Sequence, residues 1–193
     1  MSQLPHWDAA TAGVVEARLG PPPAPRFFTA AEQATARALA GQLLDQPHDD
    51  LGVPVMEMID ARLADGQTDG WRYEDMPEDG QAWRDTLAHL DADAKEWFGA
   101  GFAECPAGDQ RALIQAVQDL GSGDWHGLPA SRVWSLWTRY ACTAFYAHPW
   151  AWNEIGFPGP AYPRGYKNKG VGRREPFEVP DGRPADDPVR EGA

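Results

Sequence analysis

The sequence has few cysteines, few positive charges and no long apolar run. Only two of its 193 residues are cysteines, too few for a disulfide framework or a four-cysteine zinc site. Lysine and arginine number 17 against 29 aspartates and glutamates, which argues against a nucleic-acid binder because phosphate contacts need clustered positive charge. No stretch of about 18 apolar residues occurs, so no direct membrane span is predicted.

Motifs for nucleotides and metals are also missing. No G-x-G-x-x-G follows a predicted strand and no G-K-[ST] is present, so neither a dinucleotide fold nor a phosphate-cradling loop is predicted. The five histidines are scattered without the spacing of a zinc enzyme, and no C-x-x-C-H would attach a haem. We therefore expect no catalytic, cofactor-binding or metal-binding residue in this chain.

Apolar residues recur at helical spacing in five segments. This pattern predicts an all-α fold, a compact bundle of about five helices, since no segment alternates with a period of two. Thr29 and Glu32 fit a capping box at the start of the first helix, and Gly99 is placed to end the third. We expect an interruption of that third helix near Asp91.

Composition divides the chain into four parts. Residues 1–25 are predicted to be a poorly ordered lead-in, residues 26–147 the helical domain, residues 148–179 an extended docking arm and residues 180–193 a flexible tail. The arm is rich in proline, glycine and aromatic residues, so neither a helix nor a strand is expected to propagate there. Its aromatic side chains must be covered, either by a partner or by the bundle itself.

The two cysteines have different predicted surroundings. Cys142 falls inside the fifth helical pattern among aromatic residues, where a buried and inert thiol is expected. Cys105 precedes Pro106 at a predicted helix start, where the helix dipole would lower the thiol pKa. A bridge between the two, or a cross-link to a partner, remains open.

Several blocks of the sequence carry a family resemblance, and the densest is the segment from His148 to Tyr166. Together, in this order, the blocks resemble the gluconate 2-dehydrogenase subunit 3 family over residues 26–179. The blocks are Arg26-Phe-Phe-Thr-Ala-Ala-Glu32, Val53-Pro-Val with Ile59-Asp60, Asp69-Gly-Trp-Arg-Tyr73 with Met76-Pro77, Ala82-Trp83-Arg84, and His148-Pro-Trp-Ala-Trp-Asn-Glu-Ile-Gly-Phe157 with Gly159-Pro-Ala-Tyr-Pro-Arg-Gly-Tyr166.

The resemblance implies a non-catalytic small subunit of a membrane-associated or periplasmic dehydrogenase complex that oxidises a sugar or another alcohol. In such complexes FAD is held by a large subunit of the glucose-methanol-choline (GMC) type, and a multihaem cytochrome c subunit often accepts the electrons. The small subunit assists the folding, stability and export of the large one. Because residues 1–7 show no twin arginine, we expect co-export to the periplasm with a signal-bearing partner, or a cytoplasmic complex as the alternative.

The predicted contacts with the partner lie in the arm. The anchors and polar contacts expected there are Trp150, Trp152, Asn153, Phe157, Tyr162, Arg164 and Tyr166, and Cys105 and Cys142 are the candidates for a disulfide or a cross-link. Two alternatives remain open. One is a stand-alone enzyme that uses Glu154, His148 or Cys105 in a site under the arm, and the other is a cytoplasmic structural partner of an oxidoreductase.

Overall fold

The structure is a computed structural model that describes residues 4–46, 52–161 and 165. Two compact units are present. Residues Pro22–Phe145 form one, here called the body, and residues Met1–Pro21 with Tyr146–Ala193 form the other, here called the terminal unit. The described residues are mostly helical and contain one small two-stranded sheet, which confirms the predicted all-α class.

The described residues form seven α-helices, two short 3₁₀ helices and one pair of two-residue strands. In chain order the α-helices are α1 Ala9–Ala17, α2 Ala30–Leu44, α3 Val55–Ala64, α4 Asp79–Phe98, α5 Ala107–Asp119, α6 Ala130–Ala147 and α7 Pro149–Glu154. The 3₁₀ helices are Leu4–His6 and Phe102–Glu104, and strand β1 Asp124–Trp125 pairs antiparallel with β2 Leu128–Pro129.

Local signals set the ends of the body helices. Thr29 accepts a hydrogen bond from the Glu32 N–H while the Glu32 side chain accepts one from the Thr29 N–H, so the predicted capping box is confirmed. Gly99 ends α4 in the left-handed conformation at φ 76°. The expected interruption near Asp91 was wrong, because α4 runs unbroken past it. The Asp91 carboxylate instead accepts the Phe102 N–H at 3.1 Å.

The core of the body is built around large aromatic side chains. Trp83, Trp137 and Tyr140 are each at most 1% exposed, and the Trp83 and Tyr140 rings meet edge to face at 5.8 Å. The indole N–H of Trp137 donates to Thr86 Oγ1 at 3.1 Å, so this buried polar group is satisfied. Helix α2 contacts α3, α4 and α5, which places it at the centre of the packing.

Two corrections concern the terminal unit. The lead-in predicted for residues 1–25 contains α1, whose start is capped by Asp8 accepting the Thr11 N–H at 2.8 Å. No helix was expected after His148, yet α7 begins at Pro149. A proline that ends one helix is well suited to the first turn of the next, where its missing N–H costs nothing.

Candidate partner-binding surface

The terminal unit exposes large apolar side chains within one short stretch of sequence. Trp150 is 44% exposed, Ile155 56% and Phe157 40%. Val14 and Leu19, at and just beyond α1 in the same unit, are also exposed. Trp150 and Phe157 were predicted as anchors, and the structure leaves both side chains accessible in the isolated chain.

Trp152 lies in a different environment from Trp150. Its side chain is buried, its indole N–H donates to the Tyr146 carbonyl at 2.7 Å, and its ring meets the Phe157 ring edge to face at 5.5 Å. Trp152 therefore packs inside the terminal unit and holds Phe157 in place. Its role as a partner anchor stays a prediction.

Direct hydrogen bonds within this unit join the segment that precedes the body to the segment that follows it. The Trp7 indole N–H donates to the Pro160 carbonyl at 2.8 Å, and the Arg18 guanidinium donates to the Ala147 carbonyl at 2.7 Å. The segment before α2 thus supports the segment that carries the exposed aromatics. Sequence reasoning missed this role, because no local pattern links residues more than a hundred positions apart.

Two further residues of the α7 segment show different chemistry. Asn153 is exposed, and its polar contact with a partner stays a prediction. His148 is the N-cap of α7, and its Nδ1 accepts the Trp150 N–H at 3.2 Å. Burial lowers the pKa of His148, so its neutral form is favoured. The other predicted contacts, Tyr162, Arg164 and Tyr166, lie outside the described residues.

The cysteine expectations were reversed by the structure. Both thiols are free. Cys105 is buried, and burial, with the nearby charges of Asp109 and Glu104, raises its thiol pKa, so the expected lowering was wrong. The reason is that α5 begins only at Ala107, and Cys105 closes the preceding 3₁₀ helix beside acidic groups. Cys142, expected to be buried, is exposed on α6.

A buried carboxylate explains two of the sequence blocks. Asp60, 1% exposed on the inner face of α3, accepts the backbone N–H groups of Arg26, Phe27 and Phe28 at 2.6, 3.0 and 2.8 Å. The start of the body chain is therefore fixed to α3 by three hydrogen bonds. A carboxylate within the apolar stripe of α3 was the sequence signal for this role, and sequence reasoning did not use it.

A second, partly buried cluster holds the block around Trp71. The Asp69 carboxylate forms ion pairs with Arg62 and Arg139, and the Tyr140 hydroxyl donates to Asp79 at 2.6 Å. Burial, and next the hydrogen bond to Asp79, raise the pKa of Tyr140 far above its ordinary range. Both carboxylates are thus occupied by cations or a hydroxyl. This cluster can position the loop between α3 and α4.

Histidines from α4 and the strand turn also come together. The rings of His89 and His126 stack with their centroids 4.4 Å apart, and His126 Nε2 lies 2.7 Å from an Asp93 oxygen. Burial first, and then the charge of His126, lower the pKa of His89. Within the described ranges, no group of three His, Cys, Asp or Glu side chains has a geometry that would hold a metal ion.

Comparison with known families finds a match that covers most of the chain. The profile of the family described as gluconate 2-dehydrogenase subunit 3 matches residues 30–159. The chain belongs to this family. Comparison with curated proteins and with solved structures found no match.

Membership of the gluconate 2-dehydrogenase subunit 3 family confirms the resemblance seen in the sequence. The family is that of a subunit of a gluconate dehydrogenase complex. None of the helices in the described part of the chain is both long enough and apolar enough to span a membrane. The matched region extends from α2 to Gly159, so it includes both the buried carboxylate of Asp60 and the exposed Trp150 and Phe157.

Proposed function

We propose that this chain is a non-catalytic small subunit that binds the FAD-containing, GMC-type large subunit of a sugar or alcohol dehydrogenase complex. In this proposal the large subunit carries out the oxidation with its own FAD. A multihaem cytochrome c subunit is a further member of the complex that would accept the electrons. The small subunit assists the folding, stability and export of its partner, with the periplasm as the destination.

The observation that carries the proposal is the exposed aromatic surface of the terminal unit. Aromatic side chains dominate the energetics of protein interfaces when they are buried against a partner. Trp150 and Phe157 are exposed in the isolated chain, Trp150 on helix α7 and Phe157 packed against the buried Trp152. An accessible aromatic surface on backbone that is already folded loses less conformational entropy on binding, which favours a stable complex.

The exposed thiol of Cys142 offers a second contact to the partner. An accessible free thiol can form an intermolecular disulfide in an oxidising compartment, whereas the buried Cys105 cannot be reached without local opening. We therefore assign any covalent link to Cys142. A non-reducing gel of the co-purified complex, compared with that of a Cys142→Ser variant, tests this assignment.

The test of the proposed function is co-purification with a co-expressed FAD-containing, GMC-type large subunit. The double variant Trp150→Ala, Phe157→Ala should weaken binding by at least about tenfold, because both anchors would be lost. Trp71→Ala, which removes an equally exposed tryptophan from the body, is the matched control. Unchanged recovery of the complex with the double variant, at unchanged helicity, would refute the role of this surface.

The two alternatives predict other outcomes. A stand-alone enzyme would show flavin absorbance or turnover when this chain is purified alone. A cytoplasmic structural partner would bind the flavoprotein equally well, but the flavoprotein would lack an export signal. Cys105 is buried and its thiol pKa is raised, and His148 caps helix α7. Both observations favour the accessory role over the stand-alone enzyme.

A further inference from the structure

A groove of about 370 Å³ opens on the body between the ends of α4 and α5 and the turn that follows β1. Its apolar wall includes Trp97, Leu120 and Trp125. Trp97 is 53% exposed and Leu120 44% exposed, while Trp125 is buried at the base. Phe98, the next residue after Trp97, is also exposed. Large apolar side chains are thus concentrated at this end of the body, outside the terminal unit.

The groove also carries acidic groups. Asp93 and Asp124 are part of its lining, and Glu96 and Asp119, which do not line it, precede the lining residues Trp97 and Leu120 in the sequence. Among the described residues, none of these four acids forms an ion pair with a lysine or an arginine, and Asp93 is paired with His126.

The lysines and arginines of the body form their ion pairs with acids that do not line the groove. Eight of the body's nine lysines and arginines, which face 20 acids over residues 22–145, pair with carboxylates away from the groove. The ninth, Arg111, lies on α5 and does not line the groove. Among the described residues, then, no lysine or arginine balances Asp93 and Asp124, so the groove is suited to a cation supplied by a partner.

The acidic wall is held in a fixed geometry. Asp93 accepts the Trp125 indole N–H at 2.9 Å and lies 2.7 Å from His126 Nε2. Asp124 accepts the Gly127 N–H at 2.9 Å, which closes the strand turn. His126 and Gly127 both have positive φ, 51° and 82°, as the tight two-residue turn requires. The groove is therefore preorganised, and binding would cost little rearrangement.

We propose that this groove binds a lysine- or arginine-bearing apolar segment of the dehydrogenase subunit. The cation would lie over the indole face of Trp97 and near the carboxylates of Asp93 and Asp124, an environment that combines cation–π attraction with charge pairing. The aliphatic part of the side chain would cover Leu120. This inference rests on the proposed function and adds a further contact, separate from Trp150, Phe157 and Cys142.

Photo-cross-linking in the co-expressed complex tests the occupant of the groove. A photoreactive phenylalanine analogue placed at position 97 should cross-link to a lysine- or arginine-containing peptide of the flavoprotein, identified by mass spectrometry. The same analogue at position 71 is the control for a generally exposed aromatic position. A cross-link only to a second copy of this chain, to a flavoprotein peptide without basic residues, or to no protein at all would overturn the inference.

Charge reversal provides an independent measurement. Glu96→Lys should raise the dissociation constant of the complex by about tenfold, and the effect should shrink as salt screens the charges. Glu74→Lys, which makes the same change at an exposed acid distant in sequence, should change it less than about twofold. An equal effect of both variants would contradict a specific acidic groove. Failure of the wild-type chain to bind the flavoprotein would refute the proposed function as well, whereas an intact complex with no effect at positions 96 and 97 would refute the groove alone.

Discussion

The carboxylate of Asp60 accepts a hydrogen bond from the backbone N–H of Phe28 at 2.8 Å. The same side chain accepts the N–H groups of Arg26 and Phe27. One buried charge therefore orders three consecutive peptide units at the entrance to α2. The arrangement shows why an acid occurs on the otherwise apolar inner face of α3.

Removal of this carboxylate should be strongly destabilising. We expect Asp60→Ala to lower the free energy of unfolding by about 3 kcal/mol or more, because three backbone donors would lose their acceptor in a buried position. Urea denaturation followed by circular dichroism measures the change. Asp65→Asn is the matched control, since it removes only the exposed ion pair with Arg26 and should cost less than about 1 kcal/mol. Equal losses for the two variants would contradict this account.

The hydroxyl of Tyr140 belongs to the second cluster, around Asp69 and Asp79, and donates a hydrogen bond to Asp79. Tyr140→Phe should lower the free energy of unfolding by about 1–3 kcal/mol, because Asp79 would lose a buried hydrogen bond of 2.6 Å. Tyr73→Phe serves as the control, since the described residues show no hydrogen bond to its hydroxyl. The same urea titration checks both. A Tyr140→Phe variant as stable as the wild type would show that the hydroxyl contributes nothing to the body.

These two clusters show where sequence reasoning reached its limit. The capping box at Thr29 and the glycine stop at Gly99 were predictable, because each depends on residues a few positions apart. The bonds from Asp60 to Phe28 and from Tyr140 to Asp79 join residues 32 and 61 positions apart. No periodic pattern encodes such pairs, so Phe28 and Asp60 were identified as parts of the family resemblance without their physical role, and the pair of Tyr140 and Asp79 was not predicted.

The candidate surface was predicted only in part for a related reason. A high density of aromatics indicated that the segment after His148 must be covered, but it could not separate the buried Trp152 from the exposed Trp150. That difference depends on packing within the terminal unit and on the bond from the Trp152 indole to the Tyr146 carbonyl. The exposure of Trp97 was not predicted, because its spacing along the helix resembles that of a core residue.

Thiol reactivity should follow the observed burial. Under native conditions Cys142 should react rapidly with a thiol reagent such as a disulfide-exchange probe, and Cys105 more slowly by at least about an order of magnitude, because its thiolate is both shielded and disfavoured. Single serine variants assign the two phases. A rapid phase that persists in Cys142→Ser would contradict the assignment.

The partly buried His89 should make stability depend on pH. Its pKa in the folded state lies below the ordinary value of 6.5, so the unfolded chain binds protons more readily. Stability attributable to this group is therefore complete above about pH 7 and falls as the pH drops below 6.5 toward the folded pKa. In His89→Gln the difference in unfolding midpoint between pH 7.5 and 5.5 should shrink, with a remainder from His148. An unchanged difference would exclude His89 as a contributor.

Gly159 should be essential for the terminal unit. It has a φ of +85°, and a Cβ atom there would lie 2.6 Å from Trp7 Cζ2 and 3.2 Å from Trp152 Cζ3. Gly159→Ala should therefore separate Trp7 from this segment and increase local proteolysis, while the body keeps its helicity. Gly165→Ala is the matched control, since its φ is +67° but no atom of the described residues lies within 4 Å of the added Cβ. Identical proteolysis of the two variants would show that close packing at Gly159 is unimportant.

The direct bond between Trp7 and Pro160 has a consequence for the order of events during synthesis. The first segment of the terminal unit leaves the ribosome early, but the residues that complete the unit are translated only after the whole body. Domains generally fold as they emerge, so the body is free to fold while α1 still lacks its complement. The proposed binding surface would then form last, and under the proposed function a nascent chain interrupted before Pro160 would not compete with finished subunits for the large subunit.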